Sequence, residues 1–315
     1  MGNRFPQRLR KGDGIAIIAP ASIVKDEFID SAAEYISRKG YRPVVMPHAK
    51  GPHTGNYAAP LNDRIDDFLT AWTMPEVGVV LCARGGYGAV HLLPEIPEGI
   101  IANNSKWLIG FSDISALHSL TLHGGLVSIH GPMAKDWKED AVSGSEMIFR
   151  IMEEGVFPDC VFSCDPETTG AENTAGSASG MLIGGNVAVL NGLAATPFDM
   201  FAKTLDTDCI LFIEDINEPI YKLERVLYRL YMQGVISRLR GVVVGRFTDY
   251  TADRNFRTME EMIRAFLLRY GRRDMPVAFG FPAGHVADNR PLLIGAEARL
   301  EVSAGEAGLV YEKPA

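Results

Sequence analysis

The sequence predicts an α/β protein of two domains, and three observations carry that expectation. At 315 residues the chain exceeds the length at which a single core usually stops growing. Through its first half, apolar runs of strand length alternate with amphipathic stretches of helical period, the pattern of a doubly wound, mostly parallel sheet. From 159 to 180 the periodicity disappears and Thr, Ser, Gly, Glu and Asn dominate. That places a linker at 159–180, between an N-terminal domain over 1–158 and a C-terminal α/β domain over 181–315.

The elements follow in order. Gly14 to Ala19 is an apolar strand ended by Pro20, and Asp26 to Lys39 carries Phe28, Ile29, Ala32, Ala33 and Ile36 on one helical face before Gly40 stops it. Val44 to Met46 reads as a short strand, and Ile65, Phe68, Leu69 and Trp72 mark a second amphipathic helix. Val77 to Ala83 is nearly continuous in apolar residues, as a strand buried on both faces must be, and runs into Arg84-Gly85-Gly86-Tyr87-Gly88. Trp107 to Gly110 is a strand that turns at Ser112-Asp113 into a helix bearing Ile114, Leu117 and Leu120. Leu126 to Ile129 and a helix over Ser143 to Glu153 complete the first half. Beyond the linker come strands at Met181–Ile183, Cys209–Ile213, Gly241–Gly245, Val277–Gly280, Ala298–Val302 and Leu309–Tyr311. Helices are expected over Val187–Ala194 and over a stretch carrying Ile220, Leu223, Val226, Leu227, Leu230 and Tyr231.

Bulk properties exclude several classes. A net charge of −8 with no Lys/Arg-rich block leaves no footprint for nucleic acid. No apolar stretch reaches membrane-spanning length, and the segment after the basic N-terminus is too short and Pro-interrupted for a signal peptide. The four cysteines, Cys82, Cys160, Cys164 and Cys209, form no Cys-x-x-Cys pair and read as buried thiols of a cytoplasmic protein. No paired Cys/His spacing suggests a metal.

Open α/β sheets bind ligands beyond the carboxyl ends of their strands. Four polar features stand at such ends: the glycine loop 84–88, Ser112-Asp113, Glu214-Asp215, and the turn from Gly280 to His285. On its own stretch Ser112 reads first as a helix cap. Together the four features supply a nucleophile, an imidazole to take its proton, and a carboxylate to fix that imidazole's tautomer. The backbone N–H groups of Gly86 and Asp113 are the candidate oxyanion donors. Asp215 competes with Glu214, and Gly184-Gly185-Asn186 reads equally as a turn. His118 and His123 are taken as packing or surface histidines. Arg84 and Arg246 stand near predicted strand ends, and a guanidinium offers a bidentate fork to a carboxylate.

Taken in order, these pieces resemble the LD-carboxypeptidase family of serine peptidases, which includes the microcin-immunity hydrolases. The motifs are Ile15-Ala-Ile-Ile-Ala-Pro-Ala-Ser22, Ala83 to Gly88, Gly110-Phe111-Ser112-Asp113, His130-Gly131-Pro132-Met133, Gly184-Gly185-Asn186, Glu214-Asp215, Gly245-x-Phe247-Thr248-Asp249 and Gly284-His285. The resemblance implies a triad of Ser112, Glu214 and His285 and an oxyanion hole from Gly86 and Asp113. It implies a nucleophile on the N-terminal domain, Glu and His on a smaller, barrel-like C-terminal α/β domain, and an active site at their interface. It also implies a homodimer without cofactor that releases the terminal D-alanine of murein tetrapeptide during cell-wall recycling. The rival expectations are an immunity-type hydrolase of peptidyl- or aminoacyl-nucleotide conjugates and a non-catalytic small-molecule-binding protein. In one place the chain departs from the family: Asn289-Arg290-Pro291-Leu292-Leu293-Ile294-Gly295 stands where Asn-x-x-Leu-Pro-x-Gly is usual, which leaves the path of that strand open.

Overall fold

Strand β1 (Gly14–Ile18) is buried at all five residues, because parallel neighbours pair with both its edges and the crossover helices pack on it. It pairs with β2 (Arg42–Val45) and β3 (Val77–Cys82), and β3 continues the parallel ladder to β4 (Trp107–Gly110) and β5 (Ser128–His130). The computed structural model describes residues 2–138, 143–155, 160–164 and 171–312, and the chain divides into two compact units. The first comprises Met1–Val156 and Asp288–Gly295, and the second Phe157–Ala287 and Ala296–Ala315.

In the first unit the strand order is β11-β5-β4-β3-β1-β2, where β11 is Leu292–Ile294. The chain steps outward from β1 to β2, then returns to lay β3, β4 and β5 on the other side, so the order reverses between β1 and β3. Helix α1 (Asp26–Arg38) makes the first connection and α2 (Leu61–Thr73) the second. Right-handed crossovers running in opposite directions put these helices on opposite faces of the sheet. Helices α3 (Ser115–His123) and α4 (Ser143–Glu154) follow β4 and β5. Pro43 is tolerated because β2 is an edge strand.

The departure after His285 has a structural reading. Strand β11 (Leu292–Ile294) joins the first unit's sheet antiparallel to β5, with Leu292 opposite His130 and Ile294 opposite Ser128. Pro291 stands just before this strand, where no ladder hydrogen bond is required of it, and Leu293 is fully buried. The first unit is therefore built from two stretches of chain, where the sequence suggests one N-terminal domain followed by one C-terminal domain. A single three-residue strand carries too little periodicity to announce its partner.

The second unit holds a seven-stranded sheet, β10-β9-β8-β7-β12-β13-β6. Strands β7 (Gly176–Asn186), β8 (Cys209–Ile216), β9 (Leu239–Thr248) and β10 (Val277–Gly284) are parallel. Strands β12 (Glu297–Val302), β13 (Glu306–Tyr311) and β6 (Cys160–Ser163) complete it antiparallel. Phe162 of β6 meets Phe281 of β10 edge to face, ring centroids 4.9 Å apart, so the two edges approach and the sheet is nearly closed like a barrel. Helices α5 (Val187–Gly192), α6 (Ile220–Met232) and α7 (Met259–Tyr270) connect the parallel strands. Helix α6 buries Ile220, Leu223, Val226, Leu227 and Leu230, each worth about 1.5–3 kcal/mol when taken fully out of water.

Within the stretch expected to be a linker, β6 and the first residues of β7 are strands, and 165–170 lie outside the described residues. The boundary expected at 158/159 lies outside them too. Among the described residues no helix is long and apolar enough to cross a membrane. Cys82, Cys164 and Cys209 are buried free thiols, and burial raises the pKa of each, while the Cys160 side chain is outside the described set.

Candidate active site

In the first unit the serine turn is shaped by its backbone. All four residues of β4 are buried, and the strand ends on Gly110, where an added Cβ would lie 2.9 Å from the Ile114 side chain. Phe111 is extended, and Ser112 then takes a φ of +63°, a left-handed conformation that costs a non-glycine residue about 1–2 kcal/mol. Residues Ser112–Ile114 form a 3₁₀ turn that feeds α3. The cap positions fall on Phe111 and Ile114, so Ser112 stands inside the 3₁₀ turn rather than at the cap position that its local sequence suggests. Local strain at a half-buried serine, held by an otherwise ordinary strand and helix, is what a functional turn looks like.

The glycine loop closes on this turn. A Cβ on Gly85 would sit 3.0 Å from the Ser112 Cβ and 3.2 Å from both the Ser112 Oγ and the Asp113 nitrogen. Gly86 and Gly88 have φ of +101° and +125°, and a side chain on Gly86 would run into Ser22. Ser22 accepts the Tyr87 N–H at 3.0 Å and donates its own N–H to the Gly85 carbonyl at 3.2 Å. The buried Asp113 carboxylate accepts the Ala89 N–H at 2.8 Å, tying the far end of the loop to the serine turn, and burial raises its pKa. Arg64, 3% exposed, donates to the carbonyls of Pro20 at 2.7 Å, Gly88 at 3.0 Å and Ala59 at 3.1 Å, so one guanidinium gathers three loops.

His118 is buried beneath the turn, with Nε2 2.8 Å from the Gly110 carbonyl and Nδ1 2.8 Å from Ser128 Oγ. Burial drives its pKa down to about 3. It is therefore a neutral packing histidine that donates to Gly110 and accepts from Ser128. His123 bonds the Ser119 carbonyl at 2.8 Å.

In the second unit the polar groups gather at the carboxyl ends of β7, β8, β9 and β10. Glu214 is fully buried, and its Oε2 lies 2.9 Å from His285 Nδ1. The carboxylate accepts a hydrogen bond from Nδ1–H, which selects the tautomer whose Nε2 is free of hydrogen and can accept a proton. Two glycines make room. A Cβ on Gly284, whose φ is +111°, would come within 2.7 Å of Glu214 Oε2, and one on Gly245 within 3.2 Å of Glu214 Cβ.

Asp215, the neighbouring acid, is spoken for elsewhere. Its oxygens accept from Asn186 Nδ2 at 2.8 Å, Ile216 N at 2.9 Å and Ala188 N at 2.8 Å. Burial, then the charge of Glu214, pushes its pKa up to about 6. Gly184-Gly185-Asn186 is the end of β7 rather than a turn: a Cβ on Gly184 would clash with the Phe212 carbonyl of β8, and Asn186 caps α5 through Val189 N at 3.1 Å.

Of the two candidate arginines, Arg84 is exposed and donates to the Ile23 carbonyl at 2.7 Å. Arg246 is half-buried in β9, where its charge acts on Glu260, a carboxyl whose pKa burial raises. The structure thus brings the glycine loop to Ser112 and Asp113 in the first unit, and Glu214 to His285 in the second. Sequence reasoning missed Gly85 as the glycine beside the serine, and missed Arg64 and Ser22. An arginine one position before Ile65, three before the buried Asp67 and four before Phe68 on α2 was the available signal for Arg64.

Comparison with known proteins agrees with this architecture. Profiles for the LD-carboxypeptidase N-terminal and C-terminal domains match residues 15–131 and 179–300. The murein tetrapeptide carboxypeptidase of Pseudomonas aeruginosa is 30% identical over 91% of this chain and 92% of its own length. The crystal structure of muramoyltetrapeptide carboxypeptidase from Oxalobacter formigenes superposes with a TM-score of 0.80 at 28% identity, covering 96% of this chain and all of that one. The structure of MccF in complex with glutamyl sulfamoyl guanosine reaches 0.82 at 18% identity, over 98% and 99% of the two chains, a likeness of fold. Fold and relatives together define a hydrolase of the serine-type carboxypeptidase class. The chain belongs to the LD-carboxypeptidase family.

Proposed function

We propose that this protein is an L,D-carboxypeptidase that releases the terminal D-alanine of murein tetrapeptide, with Ser112 as nucleophile, His285 as base and Glu214 as its orienting carboxylate. His285 Nε2 takes the Ser112 proton as Oγ attacks the scissile carbonyl. The tetrahedral oxyanion is held by the N–H groups of Gly86 and Asp113, and D-alanine leaves with the proton from His285. Water then attacks the acyl-enzyme with His285 again as base. Arg84 or Arg246 receives the substrate's terminal carboxylate. The reading includes a cytoplasmic homodimer and no cofactor.

The single observation that carries this is the 2.9 Å bond between His285 Nδ1 and the fully buried Glu214. A buried carboxylate bonded to an imidazole is what a general base needs and what a binding module has no use for. The strained Ser112 and the murein-directed relatives support the same reading.

A second reading, an immunity-type hydrolase of aminoacyl-nucleotide conjugates, draws support from the fold of MccF. It also draws on an aromatic cluster beside the glycine loop, where Tyr87, 56% exposed, lies 6.2 Å from Tyr57 and 5.2 Å from His91, centroid to centroid. One experiment separates the two. The purified protein is offered murein tetrapeptide, its all-L counterpart and an aminoacyl-sulfamoyl adenylate, and products are read by mass spectrometry. D-alanine release from the first alone is expected. Cleavage of the adenylate alone moves the assignment to the immunity reading, and release that persists in Ser112→Ala defeats the mechanism.

A further inference from the structure

A cavity of about 420 Å³ opens in the second unit between α5 and α6, lined among others by Asp215, Glu218, Lys222, Arg225 and Arg229. Successive residues of a strand face opposite ways, so Asp215 looks into this cavity while Glu214, one residue earlier in β8, turns to His285. The volume is that of a small-molecule site.

The charges around it do not cancel. Asp215 is satisfied by three donors from Asn186, Ala188 and Ile216. Glu218 is paired with Lys222 at 3.1 Å. Arg225 is exposed, with its guanidinium 5.5 Å from the Tyr221 ring and no carboxylate partner among the described residues. Arg229 gives Nη1 to Gln233 Oε1 at 2.8 Å and stacks 5.6 Å from the Phe201 ring, but its Nε and Nη2 are buried with no acceptor among the described residues. The acid that acts on it, Asp199, spends its oxygens on the N–H groups of Ala195, Phe201 and Ala202. Three cations thus face two carboxylates around the cavity, leaving one positive charge over. Moreover, Nε–H and Nη2–H form the parallel edge of a guanidinium that grips both oxygens of a carboxylate or phosphate. Buried cationic donors without acceptors call for a partner.

We propose that this cavity is a binding site for a small oxyanion, with Arg229 holding a carboxylate or phosphate group bidentately, Arg225 closing over it, and the whole lying across β8 from the Glu214–His285 pair. The inference does not depend on the proposed peptidase reaction.

Isothermal titration of the full chain at fixed ionic strength tests it, with inorganic phosphate in one arm and succinate in the other. Saturable binding of at least one is expected, weakened tenfold or more in Arg225→Ala and lost in Arg229→Met. Phosphate alone assigns a phosphate group, succinate alone a carboxylate, and either supports the site. Arg225 is exposed, so its variant keeps the test meaningful if Arg229→Met fails to fold. Absence of saturable binding to the wild type, or binding in Arg225→Ala equal to the wild type, overturns the proposal. So does loss of D-alanine release in Arg225→Ala with anion binding unchanged, which would make the cavity part of the substrate site.

Discussion

The serine turn and the Glu214–His285 pair are held by different physics. Ser112 is positioned by backbone: a positive φ, Gly110 packed on Ile114, and Gly85 pressed against the serine, with Asp113 and Arg64 fastening the loop from behind. Glu214 and His285 are positioned by side chains, a buried hydrogen bond for which Gly245 and Gly284 leave space. A backbone-built feature tolerates little change in its glycines and much in its surroundings. A side-chain pair behaves the other way, since its geometry is lost when either partner changes.

Substitutions should break this comparison in graded ways. On the proposed mechanism, Ser112→Ala removes the nucleophile while easing no packing, and should lower kcat for D-alanine release by roughly 10⁴- to 10⁶-fold with unfolding midpoint unchanged or raised. Glu214→Gln keeps the shape and loses the charge that selects the His285 tautomer, so steady-state kinetics should show a fall of about 10⁴-fold. Gly85→Ala puts a methyl 3.2 Å from the Asp113 nitrogen. It should cost about 10²- to 10³-fold in kcat, the cost of one displaced oxyanion donor, with circular dichroism unaltered.

Two further tests read stability rather than rate. The folded-state pKa of Asp215, about 6, lies above its ordinary value of 3.8. The native state therefore holds this proton more tightly than the unfolded chain does. Its contribution to stability is full below about pH 4 and is lost as pH rises through about 6, on the order of 3 kcal/mol in all. Denaturant titrations should show that loss in the wild type and a flatter profile in Asp215→Asn. Asp113→Ala strands the buried Ala89 N–H and should cost about 1–3 kcal/mol by the same method.

What the sequence revealed follows the same division. Strands β1, β3, β4 and β8 were legible because burial on both faces demands unbroken apolar runs. The serine turn was legible because Gly110 and the glycine loop are local signals. The family resemblance names Glu214 and His285 as partners, whereas composition and spacing alone leave Asp215 an equal competitor, because the bond joins residues 71 apart in the chain. Only the three donors converging on Asp215 show which acid is structural. That Gly85 is the glycine packed on Ser112 could not be read from the loop, since it depends on Gly86 turning to Ser22 instead. Strand β11 was hidden by its length, and Arg64 by the rule that charged residues face water.

The central claim is that Ser112 carries the acyl group. Enzyme quenched in acid during turnover of murein tetrapeptide should gain the mass of the tripeptidyl acyl group. Peptide mapping should place that mass on Ser112, and Ser112→Ala should gain none. An adduct on another residue, or D-alanine release by Ser112→Ala at the wild-type rate, would contradict the account.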